Sequence, residues 1–243
     1  LNLVKSKVWN RTPQLIKNFT ESYNIDLIHS FGFWTDLFSL NLKKPVLISV
    51  RNYPPQEYPQ LYNKFIGNVL AFLHLKIIKK HKNIIVCSNS LKNIFHFKHK
   101  ILTKVIQNGI DINLYDSKKN KNLFKKFPMI PKNKKVIVSI SRLIKRKNIG
   151  LLIKVFKKYF YNSNYILLIV GSGPENKKLK ELSFPSKNIF FLGNINNIQK
   201  VYQVADYFVS ASYSEGLPNS VLEAMSSGIT CILSDIPMHR ELY

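Results

Sequence analysis

The sequence predicts an α/β protein built on two parallel sheets, and three observations carry that reading. Short runs rich in β-branched and aromatic residues alternate with segments of helical apolar spacing along the 243 residues, the pattern of βαβ units. A stretch over 113–134, poor in periodicity, rich in Lys and Asn and holding Pro128 and Pro131, divides the alternation in two. Several strand-like runs end in polar residues at the carboxyl end, where open α/β sheets place ligands. The division predicts a first domain over 1–112, a linker over 113–134 with at most one short helix, and a second domain over 135–243.

In the first half, residues 1–23 have a mixed helical pattern without a clear start signal. Residues 26–30 read as a short buried strand, 33–40 as a helix and 45–50 as a second strand. Arg51-Asn52-Tyr53-Pro54-Pro55 reads as a rigid loop. Residues 58–80 form a long helical candidate, with Leu61, Phe65, Val69, Phe72 and Leu73 recurring at the spacing of a core face. Lys76, Lys79, Lys80, His81 and Lys82 crowd its end. Cations there suit the helix dipole, and they also suit a membrane surface or a phosphorylated acceptor. The plainer alternative is a core helix with a solvated basic end. Its most apolar part, 65–78, is interrupted by Asn68, His74 and Lys76, and is too short and too polar to span a bilayer. A strand over 83–87, a helix over 90–97, a strand over 103–106 and a turn at Gln107-Asn108-Gly109-Ile110-Asp111 complete the half.

In the second half, strands are read at 136–140, 165–170, 189–192, 206–210 and 230–233, and helices at 149–161, 175–182 and 198–204. The stretch 212–228 organises the rest. A strand turns sharply at Glu215-Gly216 into a helix that begins at Pro218 and stops at Gly228. The amides of Asn219 and Ser220, together with the helix dipole, make this start suited to an anion such as phosphate. On a helical wheel Val221, Leu222 and Met225 share the core face, and Glu223 points nearly opposite. Alone, Glu215 reads as a dipole-compensating acid and Glu223 as a solvated one.

Composition narrows the classes. Lys plus Arg number 37 against 13 acids, a formal charge of +24 that attracts nucleic acid, anionic lipid or phosphorylated ligands. Lys, Asn, Ile and Phe are abundant together, so genomic base composition explains the excess equally well. Cys87 and Cys231 lie far apart, with neither metal-ligand nor disulfide spacing, which makes a reducing, cytoplasmic setting the simpler inference. No signal-peptide pattern is read at the start.

Two more loops carry chemistry. Ser141-Arg142-Leu143-Ile144-Lys145-Arg146-Lys147-Asn148 puts four cations between a strand and a helix; Arg142 suits two phosphate oxygens held bidentately and Lys147 suits a point charge. A solvated basic turn is the alternative. Gly171-Ser172-Gly173-Pro174 lets backbone approach a nucleotide, although the third glycine of the dinucleotide fingerprint is absent and an ordinary turn reads as well. The three loops fall at one edge of one parallel sheet. Cations and a helix start suit a diphosphate, and a carboxylate accepts from paired hydroxyls. Together they ask for a sugar nucleotide.

On these motifs the chain resembles the retaining family 4 glycosyltransferases. Ser-Arg-x-x-x-x-Lys at 141–147, Gly-Ser-Gly-Pro at 171–174, and Glu-Gly-Leu-Pro with Glu223 eight positions after Glu215 are similar to landmarks of their donor domain. Asn108-Gly109-Ile110-Asp111 is similar to the family's end-of-first-domain signature. The resemblance implies a GT-B fold, two Rossmann-like domains facing a cleft, with parts of both ends missing from this chain. It implies that Arg142 and Lys147 bind the donor diphosphate and that Glu215, with the backbone of Gly216 and Leu217, holds the donor sugar. Gly171, Gly173, Pro218 and Asn219 would complete the donor site, and Glu223 would bind ribose hydroxyls. Family members often carry a histidine near the donor sugar where this chain has Arg51, which cannot serve as a general base. Arg51 and His29 are kept as acceptor-side residues. The implied reaction moves a sugar from a nucleoside diphosphate sugar to a saccharide or lipid-linked acceptor with retention, in cell-surface polysaccharide synthesis. No cofactor or obligatory metal is implied, and no Asp-x-Asp triplet occurs. The basic helix end suggests peripheral contact with an anionic inner membrane leaflet, and nucleic acid is not an expected partner. The alternatives are a sugar-nucleotide epimerase of the same fold and a basic nucleic-acid-binding protein.

Overall fold

A computed structural model describes residues 12–115, 131 and 133–243. The linker predicted over 113–134 and the opening residues 1–11 lie largely outside the described residues. The chain divides into two compact units, Leu1–Gln107 and Asn108–Tyr243.

The first unit is a four-stranded parallel sheet ordered β1-β2-β3-β4, with β1 Ile28–Ser30, β2 Val46–Val50, β3 Asn83–Val86 and β4 Lys104–Val105. Its helices are α1 Thr12–Ser22, α2 Phe33–Ser39, α3 Pro54–Leu61, α4 Lys64–Lys80 and α5 Asn89–His99. Ser88 starts α5 by accepting from the Leu91 amide at 3.1 Å. Ile48, Val50, Ile84, Val86, Leu91 and Phe95 fill its core.

Three expectations for this unit fail. The residues read as a rigid loop include the start of α3, because Pro54 and Pro55 occupy its first positions, where a missing N–H costs nothing. The single helix expected over 58–80 is two, divided where the Asn63 side chain accepts from the Ile66 amide at 2.8 Å and begins α4. The face of α4 expected in the core is also the wrong one. Leu61, at the end of α3, and Phe65, Val69, Phe72 and Leu73 of α4 are exposed, and Gly67, Ala71, His74, Ile77 and Ile78 are buried instead. Small residues win the inner face because α3 passes so close: a Cβ on Gly67 would lie 2.5 Å from the Pro59 backbone. His74 is tolerated there because it bridges Tyr58 Oη (2.6 Å) and the buried Asp36 carboxylate (2.9 Å).

The second unit is a five-stranded parallel sheet ordered β7-β6-β5-β8-β9. Its strands are β5 Lys135–Ile140, β6 Tyr165–Val170, β7 Ile189–Gly193, β8 Tyr207–Ser210 and β9 Thr230–Leu233, each within a residue of expectation at either end. Helices α6 Ile149–Tyr159, α7 Asn176–Ser183, α8 Gln199–Val204, α9 Asn219–Ser226 and α10 Pro237–Arg240 connect or follow them. Alternate residues of β6 point to opposite faces. Ile166, Leu168 and Val170 join Val201, Tyr202, Val221 and Ala224 on the side of α8 and α9. Leu167 and Ile169 join Ile149, Ile153, Phe156 and Leu179 on the side of α6 and α7. A sheet buried on both faces explains the near-continuous apolar runs of β5 and β6. On α9, Val221 and Ala224 are buried as expected of that face or beside it, but Met225 is 43% exposed.

Candidate functional site

The order of the second sheet decides which loops meet. The strand sequence reverses between β5 and β8, which pair directly through Ile137 with Tyr207 and Val138 with Phe208. A crevice outside the carboxyl ends at such a reversal is where open α/β sheets hold ligands. The loops after β6, β5 and β8 are therefore consecutive along one edge, and they are the three loops singled out in the sequence.

After β5 the backbone makes a single 3-10 turn, Lys145–Lys147, before α6. The turn sorts its cations. Arg142 and Lys145 are exposed, whereas Arg146 is buried and Lys147 nearly so. Arg146 Nη1 donates to the Ser214 carbonyl (2.5 Å) and to Glu215 Oε2 (2.9 Å), and Lys147 Nζ donates to Glu215 Oε1 (2.5 Å). Burial pushes the Glu215 carboxyl up, but Lys147, Arg146 and a hydrogen bond from Ser212 outweigh it and hold the carboxyl below the usual carboxylate range. At Lys147 the balance reverses: burial lowers the ammonium, with Arg146 adding to it, by more than Glu215 raises it. Glu215, which alone reads as a dipole-compensating acid, is thus a buried anion between two cations.

Backbone packing accounts for both glycines of the second loop. A Cβ on Gly171, whose φ is +123°, would lie 2.0 Å from the Ser141 carbonyl oxygen, and one on Gly173 would lie 2.3 Å from that of Leu143. The Leu143 amide donates to Ser172 O at 2.8 Å, and the Glu175 amide donates to Leu143 O at 3.1 Å. These two loops, with the segment after β7, line an open cavity of about 540 Å³ bordered by Ser141, Arg142, Gly171, Gly173, Ile195 and Ile198. Ser141 Oγ is buried there without a hydrogen-bond partner among the described residues.

The third loop keeps Glu215, Gly216, Leu217 and Pro218 buried. Pro218 lies just outside α9 rather than at its first position, and no side chain caps the helix start. Asn108 Nδ2 donates to the Leu217 carbonyl and to Asn219 Oδ1, both at 2.8 Å, so the turn expected to close the first half holds this loop within the second unit. Glu223 is half-buried, contrary to its expected outward direction on the wheel. Its Oε2 lies 2.8 Å from Tyr202 Oη, which is also 3.0 Å from the Ser220 carbonyl. Burial and the Glu223 charge push the Tyr202 phenol up, and burial first and Glu223 second push Tyr115 up to about 12.

Arg146, Asn108, Tyr115 and Tyr202 were not legible as site residues. Nor was His239 of α10, which is wholly buried. Its Nδ1 donates to the Ser234 carbonyl at 2.9 Å, Ser234 Oγ donates to the Ser212 carbonyl at 2.7 Å, and burial lowers the imidazole pKa. In the first unit, His29 is exposed on β1 with Nε2 2.6 Å from Ser49 Oγ, and Arg51 is exposed just after β2.

A doubly wound sheet with cations, glycine turns and a buried carboxylate at its reversal is an architecture whose crevice suits a nucleotide-type ligand. The chain belongs to the glycosyl transferases group 1, whose family model matches residues 120–243; the Glycosyltransferase Family 4 model matches residues 4–114. An uncharacterized glycosyltransferase of Methanocaldococcus jannaschii is 31% identical over 232 residues, covering 92% of this chain and 56% of the relative. The O-antigen biosynthesis glycosyltransferase WclY of Escherichia coli is 27% identical over 227 residues, covering 90% of this chain and 63% of the relative. The crystal structure of Anabaena HepE in complex with UDP-glucose superposes with a TM-score of 0.78 at 19% identity, covering 95% of this chain and 65% of that one. These likenesses establish a GT-B-type fold of two Rossmann-like units. The chain spans between 56% and 63% of the length of the two curated relatives.

Proposed function

We propose that this chain serves a glycosyltransferase that moves a sugar from a nucleoside diphosphate sugar to a saccharide or lipid-linked acceptor, with retention at the anomeric carbon, in cell-surface polysaccharide synthesis. The observation that carries the proposal is the Glu215 carboxylate held between Lys147 and Arg146 beside the uncapped start of α9. Arg142 and Lys147 take the diphosphate, with Gly171 and Gly173 shaping its cavity. Lys147 then divides its ammonium between Glu215 and the departing phosphate, neutralising charge as it develops. Glu215, with the backbone of Gly216 and Leu217, holds the donor sugar, next to Pro218 and Asn219. A carboxylate accepts about four hydrogen bonds, so Glu223 has room for ribose hydroxyls beside Tyr202. In the reaction proposed for this chain the donor phosphate itself takes the acceptor proton, which leaves Arg51 and His29 to position the acceptor. The O-antigen role in the name of WclY and the UDP-glucose in the HepE structure support this direction.

A thermal-shift panel of nucleoside diphosphate sugars tests the site. One donor at a hundredfold excess over its Kd stabilises the parent by about 2.7 kcal/mol, and Arg142→Ala and Glu223→Ala each abolish the shift. Equal shifts in parent and variants would remove the assignment. The anomeric configuration of the product, read by NMR, tests retention.

A further inference from the structure

The outer face of α4 combines two features that no other part of the molecule's function requires. Phe65 is 79% exposed and Phe72 57%, and Ile66, Val69 and Leu73 are exposed with them. Lys64 opens the helix, Lys76, Lys79 and Lys80 occupy its last two turns, Lys82 follows, and no acid occurs anywhere in it. Lys76 Nζ sits 4.5 Å from the centre of the Phe72 ring, so charge and apolar surface adjoin.

These apolar side chains are not spare core. The inner face is already filled by Gly67, Ala71, His74, Ile77 and Ile78. Single exposed apolar residues are ordinary on a soluble surface, but five within nine positions form a patch of the kind that marks an interaction site. The pattern of charge selects the occupant. Lysines alone would suit a nucleic acid or an acidic protein; a nucleic acid has no place for two phenylalanines and three aliphatic side chains, and a protein would need an apolar groove ringed with acids to match them. An anionic bilayer takes both, with acyl chains for the apolar side chains and phosphate headgroups for the lysines. No helix among the described residues is long and apolar enough to cross a membrane.

We propose that α4 lies flat on an anionic lipid surface, inserting Phe65, Val69, Phe72 and Leu73 below the headgroups while Lys76, Lys79 and Lys80 bind lipid phosphates. The proposal stands independently of the transfer reaction, since it uses none of the donor-site residues. It replaces the expected contact by a basic helix end alone with one made by the whole helix face.

Flotation of the full chain tests it, with vesicles of phosphatidylcholine alone and with vesicles in which about one lipid in three is phosphatidylglycerol. The parent floats with the anionic vesicles, and less so as salt is raised. The double variant Lys76→Glu/Lys80→Glu lowers that binding about tenfold or more. Phe65→Ser/Phe72→Ser lowers it at least about tenfold and leaves the Tm unchanged, since both rings face solvent. Equal flotation with both vesicle types, no flotation, or undiminished flotation of either variant overturns the proposal. A fall in Tm of the phenylalanine variant overturns it as well, because that face would then be covered by protein.

Discussion

At the scale of single residues, the consequential finding is that Glu215 is an internal counter-ion. Removing the charge of one member of a buried ion cluster strands the others, at a cost of about 3–5 kcal/mol. Glu215→Gln is therefore expected to destabilise by that order in urea unfolding, although the side chain keeps its shape. The pH dependence follows from the same pair of cations. The folded-state pKa of Glu215 lies below its unfolded value, so its contribution to stability is complete above the ordinary glutamate range and is lost as pH falls through the depressed value. Unfolding curves across the acid range should show this loss in the parent and a smaller one in the variant. Tyr202→Phe is expected to cost about 1.5–3 kcal/mol, the worth of a hydrogen bond to a charged group, since its hydroxyl serves Glu223. The sequence made Glu215 and Lys147 legible as carriers of charge in the loops, and Glu223 as one on the helix that follows. It did not make their partners legible. Arg146 looked like any other cation in its turn, and its burial follows only from the spacing of the 3-10 turn against the loop after β8. Tyr202 and Tyr115 reach Glu223 from distant segments, and no local pattern announces such a meeting.

At the scale of elements, α4 shows what periodicity leaves undecided. Apolar residues at three- and four-residue spacing identify a helix, but this helix offers two such faces, one of large side chains and one of Gly, Ala, His and Ile. The choice depended on the neighbour. With Pro59 of α3 in backbone contact, only the small face fits, and a buried His74 finds Tyr58 and Asp36 on residues 16 and 38 positions away. Gly67→Ala provides the test. Helix propensity alone favours alanine by about 1 kcal/mol, whereas a methyl group forced against backbone costs about 1–3 kcal/mol. Net destabilisation in chemical unfolding is the expected outcome, and a more stable variant would contradict the close crossing. Strands, by contrast, were read almost to the residue in the second unit, because β5 and β6 are near-continuous Val, Ile and Leu and the others are short apolar runs rich in aromatic and β-branched residues.

At the scale of the whole molecule, βαβ alternation announced parallel sheets, but strand order had no local signature. It is the reversal between β5 and β8 that sets Arg146 and Lys147 against Glu215. The molecule also carries a formal charge of +24, and self-repulsion of that size works against compactness. Added sodium chloride is expected to raise the Tm by screening it, whereas an equal osmolality of sucrose should not reproduce the full gain; a Tm that falls with salt would show that attractive pairs dominate.

The glycine turn after β6 has a further consequence for descent. Beside Gly171 and Gly173 the space that any other side chain would need is already taken by main-chain atoms of Ser141 and Leu143. That wall of the cavity offers drift no foothold. Given the proposed nucleotide site, a lineage that came to prefer a different nucleotide would have to record the change elsewhere in the lining, at positions such as Ile195 and Ile198.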